Sequence, residues 1–457
     1  KFSVGGEEVE VADRGVGLMK ELFMLSSYLK HLFMLIILLS PTTLFAAETI
    51  DGAATVWVMV SIVIVLLMFI PGLALFYGGM VRAKNILSVF SQFFAIASVV
   101  GILWVVIVYS LATDTTGMQA HVYNLSSFVG GFKSAFLIGI TPQSMVGGIP
   151  EYIIIVFLMT FAMITPAIAM GGMAERMRFG AMVLFSGLWT VIVYGPMAHM
   201  VWGGDGALFH NWGVLDFAGG TAVHIGAGVT ALVGAMVLGR RKHAPNPPHN
   251  VVFVLIGAAL LWVGWFGFNV GSALAVDASA ALIFMTTMLA TLGGILGWMM
   301  VEKLSSGHVT AFGLASGAIG GLVGITPAAA YVGPFGAIAI GFIASIAVFY
   351  AITILKPKLG IDDALDVFSV HGVGGIVGCV LAGIFCIPAL GGNIEGIHII
   401  TQVFTQMASI VFTFFYVGIL SWLLLKIVDK IIPLRADLEQ EQIGLDKVDH
   451  NENAYNP

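Results

Sequence analysis

Charged side chains are scarce in this sequence. Only 10% of its 457 residues are charged, whereas 59% are hydrophobic, and the mean hydropathy is +1.00. A soluble domain carries about 25% charged residues, so this composition excludes an ordinary soluble protein. The net charge of −6 and the lack of a large basic block disfavour binding to nucleic acid.

Cysteine is nearly absent as well. Cys379 and Cys386 lie in one apolar run, roughly 10 Å apart along a helix, so we expect both to be unpaired.

The sequence also lacks a recognisable nucleophile–base pair or phosphate-binding loop. The stretch GVGGIVG (372–378) follows no strand and indicates helix packing rather than nucleotide binding. The sequence therefore predicts neither an enzyme nor a bound cofactor or metal.

Long apolar runs are what the sequence has in abundance. Runs of about 20 apolar residues with few charges are typical of membrane-spanning helices. They predict an all-α integral membrane protein with eleven spans, at 53–80, 86–113, 151–174, 178–202, 217–239, 250–273, 279–301, 308–326, 330–354, 367–388 and 399–428.

The first 47 residues have a different pattern. Residues 1–18 are polar and are interpreted as a disordered leader. Residues 19–47 contain Lys20, Lys30 and the apolar run HLFMLIILLS, which is the outline of a signal peptide cleaved near Ala46 or Ala47. An uncleaved first helix is the alternative. The predicted domains are then a membrane domain at 48–433 and a cytoplasmic C-terminal tail at 434–457.

Basic residues are distributed asymmetrically around these spans. Four of the 19 Lys and Arg residues precede residue 48, and of the remaining 15 only Lys133 follows an even-numbered span. Because cytoplasmic loops carry the excess of Lys and Arg, we predict an external N-terminus and a cytoplasmic C-terminus. This orientation agrees with a cleaved signal peptide and with the cytoplasmic (inner) membrane of a bacterium.

Two histidines lie inside otherwise apolar spans. His224 follows Asp216 by eight residues in span 5, and His371 follows Asp366 by five residues in span 10. Because five spans separate the two motifs, a second five-helix unit would enter the membrane inverted relative to the first. Two inverted five-helix repeats plus a final helix is a transporter plan in which the site forms where the repeats meet. Spacing thus permits the two imidazoles to approach each other.

Ionisable groups inside a membrane are costly and indicate function. Three interpretations of the histidines remain open at this level. Each imidazole could bond a carbonyl in a packed bundle, the pair could ligate haem or a metal, or the pair could line a narrow path for a small hydrogen-bonding solute. A neutral imidazole has one donor and one acceptor, which suits the third role.

Several longer motifs resemble the ammonium transporter (Amt) branch of the Amt/Rh/MEP family, from roughly residue 52 to the end. Trp202 in MVWGG is typical of the Amt branch rather than the Rhesus branch, and the tail GLDKVDHNENAYNP departs at Asn451, where glycine is usual. The motifs are IPGLALFYGGMVRAKN (70–85), GGMAERMRF (171–179), DFAGGTAVHI (216–225), WVGWFGFNVGS (262–272), GLVGITPAAAYVGP (321–334) and DDALDVFSVHGVGGIVG (362–378).

The resemblance implies a role for each matching residue. Trp202, Phe161 and Ser272 match an outer ammonium recruitment site, and Asp216 matches the acid that shapes this site without touching the ion. His224 and His371 match the twin histidines of the pore. The gate and the vestibule are implied to be aromatic, with a stacked pair at Phe161 and Phe268 and neighbours at Phe157 and Trp265.

The resemblance also implies the function. A member of this family would bind ammonium outside, deprotonate it near the phenyl gate and conduct ammonia past the histidines into the cytoplasm. It would form a homotrimer in contact with membrane lipid, with a cytoplasmic PII-type protein as a possible regulatory partner. The alternative from another class is an ammonium sensor that signals through its tail and a PII-type partner.

Overall fold

The structure is a computed structural model that describes residues 49–242 and 247–455. The predicted leader and signal peptide lie outside the described residues. Within them the chain is mostly helical, as predicted, and ten helices are long and apolar enough to cross a membrane. These are α1 (Gly52–Met80), α2 (Ala83–Thr113), α3 (Glu151–Met173), α4 (Phe179–Trp202), α5 (Gly220–Leu238), α6 (Val251–Gly271), α7 (Ala278–Ser306), α9 (Pro334–Leu359), α10 (Phe368–Phe385) and α11 (Ile399–Ile431).

The remaining predicted span, 308–326, corresponds to the shorter helix α8 (Ala311–Ile325). Its 15 residues rise roughly 22 Å, which is less than the hydrocarbon thickness of about 30 Å. Thr310 caps its N-terminus by accepting a hydrogen bond from the amide of Gly313. Turns from Thr326 to Tyr331 continue the segment toward α9.

Both histidine-bearing helices begin with a wide π-type turn. Gly220–Ile225 opens α5 and Phe368–Val373 opens α10. Such turns have i→i+5 hydrogen bonds, and they shift side chains around the helix axis relative to a regular α-helix. The predicted starts at 217 and 367 therefore differ from the observed starts, and most for α5, because Asp216–Gly219 is a loop whose Gly219 has φ of 113°.

A close glycine contact brings α5 and α10 together. Gly228 lies one turn beyond His224 and packs against the backbone of Gly372, the residue after His371. A Cβ atom at residue 228 would overlap that backbone, so any side chain there would force the two helices apart. The absence of a side chain at Gly228 thus lets the two histidine segments meet.

The loops after α1, α3, α5 and α9 meet at one end of the bundle in a network of buried ion pairs. Glu175 binds Arg82 through an Nε–Oε1 distance of 2.8 Å and Arg241 through an Nη1–Oε2 distance of 2.6 Å. Arg241 also binds Asp362, with an Nη2–Oδ1 distance of 2.7 Å. Four loops that are distant in sequence are therefore held by adjoining ion pairs.

The segment after α11 packs against the same end. It contains α12 (Leu438–Ile443) and α13 (Leu445–His450). Glu441 binds Arg435, and Asp446 accepts a hydrogen bond of 2.7 Å from the amide of Ser88. Asn451 ends α13 with φ of 55°, a left-handed conformation that asparagine tolerates better than most residues other than glycine. This explains physically how asparagine can stand where the tail motif usually has glycine.

Candidate functional site

The two intramembrane histidines are in direct contact. His224 and His371 are buried, and their Nδ1 atoms are 3.2 Å apart. The rings lie nearly parallel, with centroids separated by 5.3 Å and an interplanar angle of 27°. No group of three His, Cys, Asp or Glu side chains suited to a metal ion occurs within residues 49–242 and 247–455. Because the two Nδ1 atoms are within hydrogen-bonding distance, a hydrogen bond links the two rings.

This hydrogen bond determines what the pair can offer to a guest. If one ring donates from Nδ1, its Nε2 is an acceptor, while the other ring accepts at Nδ1 and carries its proton on Nε2. In either tautomeric arrangement the pair therefore presents one Nε2 acceptor and one Nε2–H donor. Nε2 of His224 is buried and has no hydrogen-bond partner among the residues that the structure describes. A small polar molecule beside this atom would supply the partner that a buried polar group needs.

Asp216 fixes the start of the first histidine segment. Its carboxylate accepts hydrogen bonds from the amides of Gly219 at 2.9 Å, Gly220 at 2.5 Å and Thr221 at 2.7 Å, and from the Thr221 hydroxyl. Amides at a helix N-terminus have no partner within the helix, so Asp216 supplies the partners that they lack. Each carboxylate oxygen therefore already accepts two hydrogen bonds from this segment.

The counterpart of Asp216 in the second histidine segment is Asp363, which the sequence interpretation missed by choosing Asp366. Asp363 lies eight residues before His371, the same spacing as between Asp216 and His224. It accepts a hydrogen bond of 2.7 Å from the amide of Phe368, whereas Asp366 binds Lys356 at 2.5 Å. Burial, together with the nearby Asp366 charge, raises the pKa of Asp363 to about 6. The equal spacing was the signal in the sequence.

Five aromatic and imidazole rings form a continuous series from the outer cavity to the histidines. Phe161 and Phe268 are stacked, with centroids 4.0 Å apart and an interplanar angle of 16°. Phe161 contacts Trp202 at 6.1 Å on one side, and Phe268 contacts His224 at 6.2 Å on the other. The series runs Trp202, Phe161, Phe268, His224, His371.

The two remaining predicted aromatics flank this series. Phe157 lies edge-on to Phe161 at 5.2 Å. Trp265 stacks on His224 at 5.5 Å and donates a hydrogen bond of 2.9 Å from Nε1 to the hydroxyl of Thr326. Since its only polar atom is bonded away from the imidazole, Trp265 offers His224 an apolar ring face.

A cavity of about 430 Å³ opens at the Trp202 end of the series. Trp202, Phe161, Phe157 and Ser272 all line it, and Asp216 does not. The hydroxyl of Ser272 donates to the carbonyl of Phe268 at 2.8 Å, so its lone pairs stay free to accept from a guest. The cavity therefore combines aromatic faces with a hydroxyl acceptor, which suits a small cation that carries N–H groups.

A second cavity lies beside His371 and is far smaller, at about 10 Å³. This is close to the lower limit for holding one water molecule, about 10–15 Å³ on the same kind of measure. The imidazole of His371 and the indole of Trp265 line this cavity. The other lining side chains are apolar: Met68, Leu73, Phe76, Ile164, Ile168, Leu261 and Ile319. Only a guest about the size of water or ammonia fits there without side-chain movement.

Other residues that line the outer cavity were not identified from the sequence. Tyr109, Asp114, Lys133 and Glu151 come from α2, the following loop and the start of α3. They are spread over more than 40 residues without a motif, so no local signal indicated that they share a cavity with Trp202.

Comparison with known proteins agrees with this geometry. Residues 56–455 match the model of the Ammonium Transporter Family. The chain is 42% identical to an ammonium transporter of Aquifex aeolicus over 415 residues, which cover 90% of this chain and 96% of that protein.

The fold of this chain is similar to those of several solved structures. Mep2 of Saccharomyces cerevisiae is 34% identical, with a TM-score of 0.76 over 86% of this chain and 89% of that one. A protein described as a sensor Amt protein is 25% identical, with a TM-score of 0.79 over 87% of this chain and 98% of that one. The chain therefore belongs to the ammonium transporter family, and it is a multi-pass membrane protein of a family of transporters and channels rather than an enzyme.

Proposed function

We propose that this chain binds ammonium in the cavity beside Trp202, removes its proton near the Phe161–Phe268 stack and conducts ammonia past His224 and His371. The observation that carries the proposal is the unbroken series of rings from Trp202 to His371. It connects a cavity suited to a cation with a buried pair suited to a neutral hydrogen-bonding guest.

Recruitment of the cation follows from the surfaces of the outer cavity. A cation above an aromatic face gains about 0.5–1 kcal/mol at an exposed site and about 2 kcal/mol when desolvated. Trp202 is half-buried and Phe161 is buried, and Ser272 adds an oxygen acceptor. These contacts replace part of the hydration shell. They are too weak to offset the cost of a charge in the membrane interior, which exceeds about 2.5 kcal/mol even on the lowest scale.

Loss of the proton solves this problem. Neutral ammonia gives up only its hydrogen bonds to water when it enters an apolar passage. The histidine pair restores some of them through one Nε2 acceptor and one Nε2–H donor. Potassium has no protons to donate or to lose, so the same passage rejects it.

Charge movement in reconstituted protein tests this function. Proteoliposomes on a solid-supported membrane are exposed in turn to ammonium and to potassium, and uptake is measured in parallel. We expect uptake with ammonium and none with potassium above that of protein-free vesicles. A transient current would indicate that the proton crosses as well, whereas uptake without current would indicate neutral conduction. Equal responses to the two cations would contradict the proposal.

A substitution at Trp202 tests the recruitment step. We expect Trp202→Leu to raise the ammonium concentration that half-saturates uptake about fivefold, because roughly 1 kcal/mol of cation–π stabilisation is lost at a half-buried ring. Trp202 does not line the inner passage, so the maximal rate of uptake at saturating ammonium should change by a smaller factor than the half-saturating concentration. Competition between methylammonium and ammonium measures the effect. Equal competition in the variant and in the unmodified protein would contradict the role of Trp202.

We also propose an architecture in the membrane. It has eleven spans, with α8 as the eighth, arranged as two inverted five-helix repeats and a final helix. The asymmetry of Lys and Arg supports an external N-terminus after signal-peptide cleavage and a cytoplasmic tail from residue 434. The proposed location is the bacterial cytoplasmic membrane, in a homotrimer surrounded by lipid, with a PII-type regulatory protein on the cytoplasmic face.

A sensor is the second candidate function, favoured by the likeness to the protein described as a sensor Amt protein. A sensor would bind ammonium in the same cavity but would signal through the tail without useful flux. The uptake measurement separates the two candidates. Saturable binding to the purified protein with no uptake in vesicles would favour the sensor.

A further inference from the structure

We propose that Glu151 is a second determinant of cation recruitment, acting through its charge at the mouth of the outer cavity. This inference rests on the proposed function and adds to it a residue outside the family motifs. Glu151 lines the same cavity of about 430 Å³ as Trp202 and Ser272. It is the first residue of α3, the helix that also carries Phe157 and Phe161 into that cavity.

The position of Glu151 follows from helix geometry. Ten residues separate it from Phe161, which corresponds to roughly 15 Å along α3. Phe161 belongs to the stack at the bottom of the cavity, so Glu151 lies toward the opening. At that distance a carboxylate attracts an arriving cation without coordinating it at the aromatic site.

One polar contact holds the carboxylate in place. The hydroxyl of Tyr109 donates a hydrogen bond of 2.8 Å to Oε1 of Glu151. Among the described residues, no donor is within hydrogen-bonding distance of Oε2 and no basic side chain pairs with Glu151. The negative charge is therefore oriented by a neutral phenol and is not neutralised by an ion pair.

The other charges of the cavity offset each other. Asp114 and Lys133 also line it. Asp114 accepts hydrogen bonds from the amides of Thr116 at 2.9 Å and Lys133 at 3.3 Å, and it carries the charge opposite to that of the Lys133 side chain. Glu151 therefore supplies the uncompensated negative charge of the lining.

The N-terminus of α3 adds a positive electrostatic contribution at the opening, which the negative charge of Glu151 opposes. The N-terminus of an α-helix carries about half a positive charge, and the N-terminus of α3 lies at the opening of the cavity. Without Glu151, a cation approaching the aromatic site would meet that positive end, because the charges of Asp114 and Lys133 offset each other. The carboxylate in the first turn reverses the sign of the potential at the opening.

Charge-neutralising variants test the proposal. A unit charge roughly 15 Å away changes the local concentration of a cation roughly two- to sixfold for effective dielectric constants between about 80 and 20. We therefore expect Glu151→Gln to raise the half-saturating ammonium concentration by this factor at low ionic strength, with saturating uptake unchanged. Lys133→Gln should lower the half-saturating concentration, because it removes a positive charge from the same cavity.

Three comparisons separate this electrostatic role from a structural one. Glu151→Asp keeps the charge and should retain the affinity of the unmodified protein. Glu439→Gln removes an exposed carboxylate of the tail, at the opposite end of the bundle from the cavity, and it should have no effect. Raising the salt concentration from about 0.01 M to about 1 M shortens the Debye length from about 30 Å to about 3 Å, so the difference made by Glu151→Gln should disappear.

The outcomes are distinct. If the unmodified protein takes up no ammonium, the proposed function fails. If it does take up ammonium and Glu151→Gln leaves the half-saturating concentration unchanged at low salt, the role of Glu151 is overturned. A change in the same direction for Glu151→Gln and Lys133→Gln, or one that persists at high salt, would also overturn it, because a charge effect must reverse its sign and be screened.

Discussion

Replacing His224 and His371 together by alanine is expected to lower the ratio of ammonium uptake to potassium uptake roughly thirtyfold. The guest loses two hydrogen bonds, each worth about 1 kcal/mol net, and 1.4 kcal/mol corresponds to about a tenfold change. The lost rings also widen a passage that beside His371 now measures about 10 Å³, which admits larger hydrated ions. Uptake of labelled ammonium analogues and of rubidium into proteoliposomes measures the ratio.

A matched variant separates this effect from a general loss of structure. His308→Ala replaces an exposed histidine in the loop between α7 and α8, and its selectivity should equal that of the unmodified protein. Both variants should elute and unfold as the unmodified protein does. Unchanged ammonium uptake with unchanged exclusion of potassium in the double variant would refute the pore role of the histidines.

Glu175→Gln is expected to destabilise the fold by about 3–5 kcal/mol, since removing one partner of a buried ion pair leaves the others uncompensated. The Glu175 side chain is 4% exposed and binds both Arg82 and Arg241. Its loss leaves Arg82 without its partner and Arg241 with Asp362 alone. Thermal unfolding in detergent measures the change. Glu439→Gln makes the same substitution at an exposed residue of the tail, and an equal loss there would contradict the importance of the network.

The same network predicts how stability depends on pH. Burial alone raises the pKa of Glu175, but the charges of Arg82 and Arg241 outweigh burial and lower the pKa to about 2. Asp362 is similar, with its pKa lowered to about 2 because the hydrogen bonds and charge of Arg241 outweigh burial. A carboxylate with a lowered pKa stabilises the folded state above its ordinary pKa. The free energy of unfolding should therefore fall between about pH 4.5 and pH 2, and by less in Glu175→Gln.

Hydropathy was sufficient to predict ten helices that are long and apolar enough to cross a membrane. Ten of the predicted spans correspond to helices long enough to cross a membrane, because the cost of placing polar backbone in lipid forces each apolar run into a helix. The starts of α5 and α10 were predicted less well. They depend on π-type turns and on side chains such as Asp216 and Asp363 that bond the first amides, and hydropathy does not report such hydrogen bonds.

The candidate site was predicted in part. Intramembrane histidines are conspicuous because ionisable groups are rare in apolar runs, so His224 and His371 could be identified from the sequence alone. Trp202, Phe161, Phe268 and Ser272 could not be separated from ordinary aromatic and small residues except through the family resemblance. Glu151 carried no signal, because a single acid at a helix start is common and its proximity to Trp202 arises only in the folded chain.

The sequence by itself determined which segments are apolar helices, which side chains within them are ionisable, and between which segments the basic residues stand. These properties depend on the transfer of individual residues from water and therefore add up along the chain. The tertiary structure alone decided that Gly228 lets two helices approach until their imidazoles are 3.2 Å apart. It also decided that Phe161 and Phe268 stack, and that Glu151 shares a cavity with Trp202. Contacts of this kind join residues from distant helices, so they depend on packing and not on any local property of the chain.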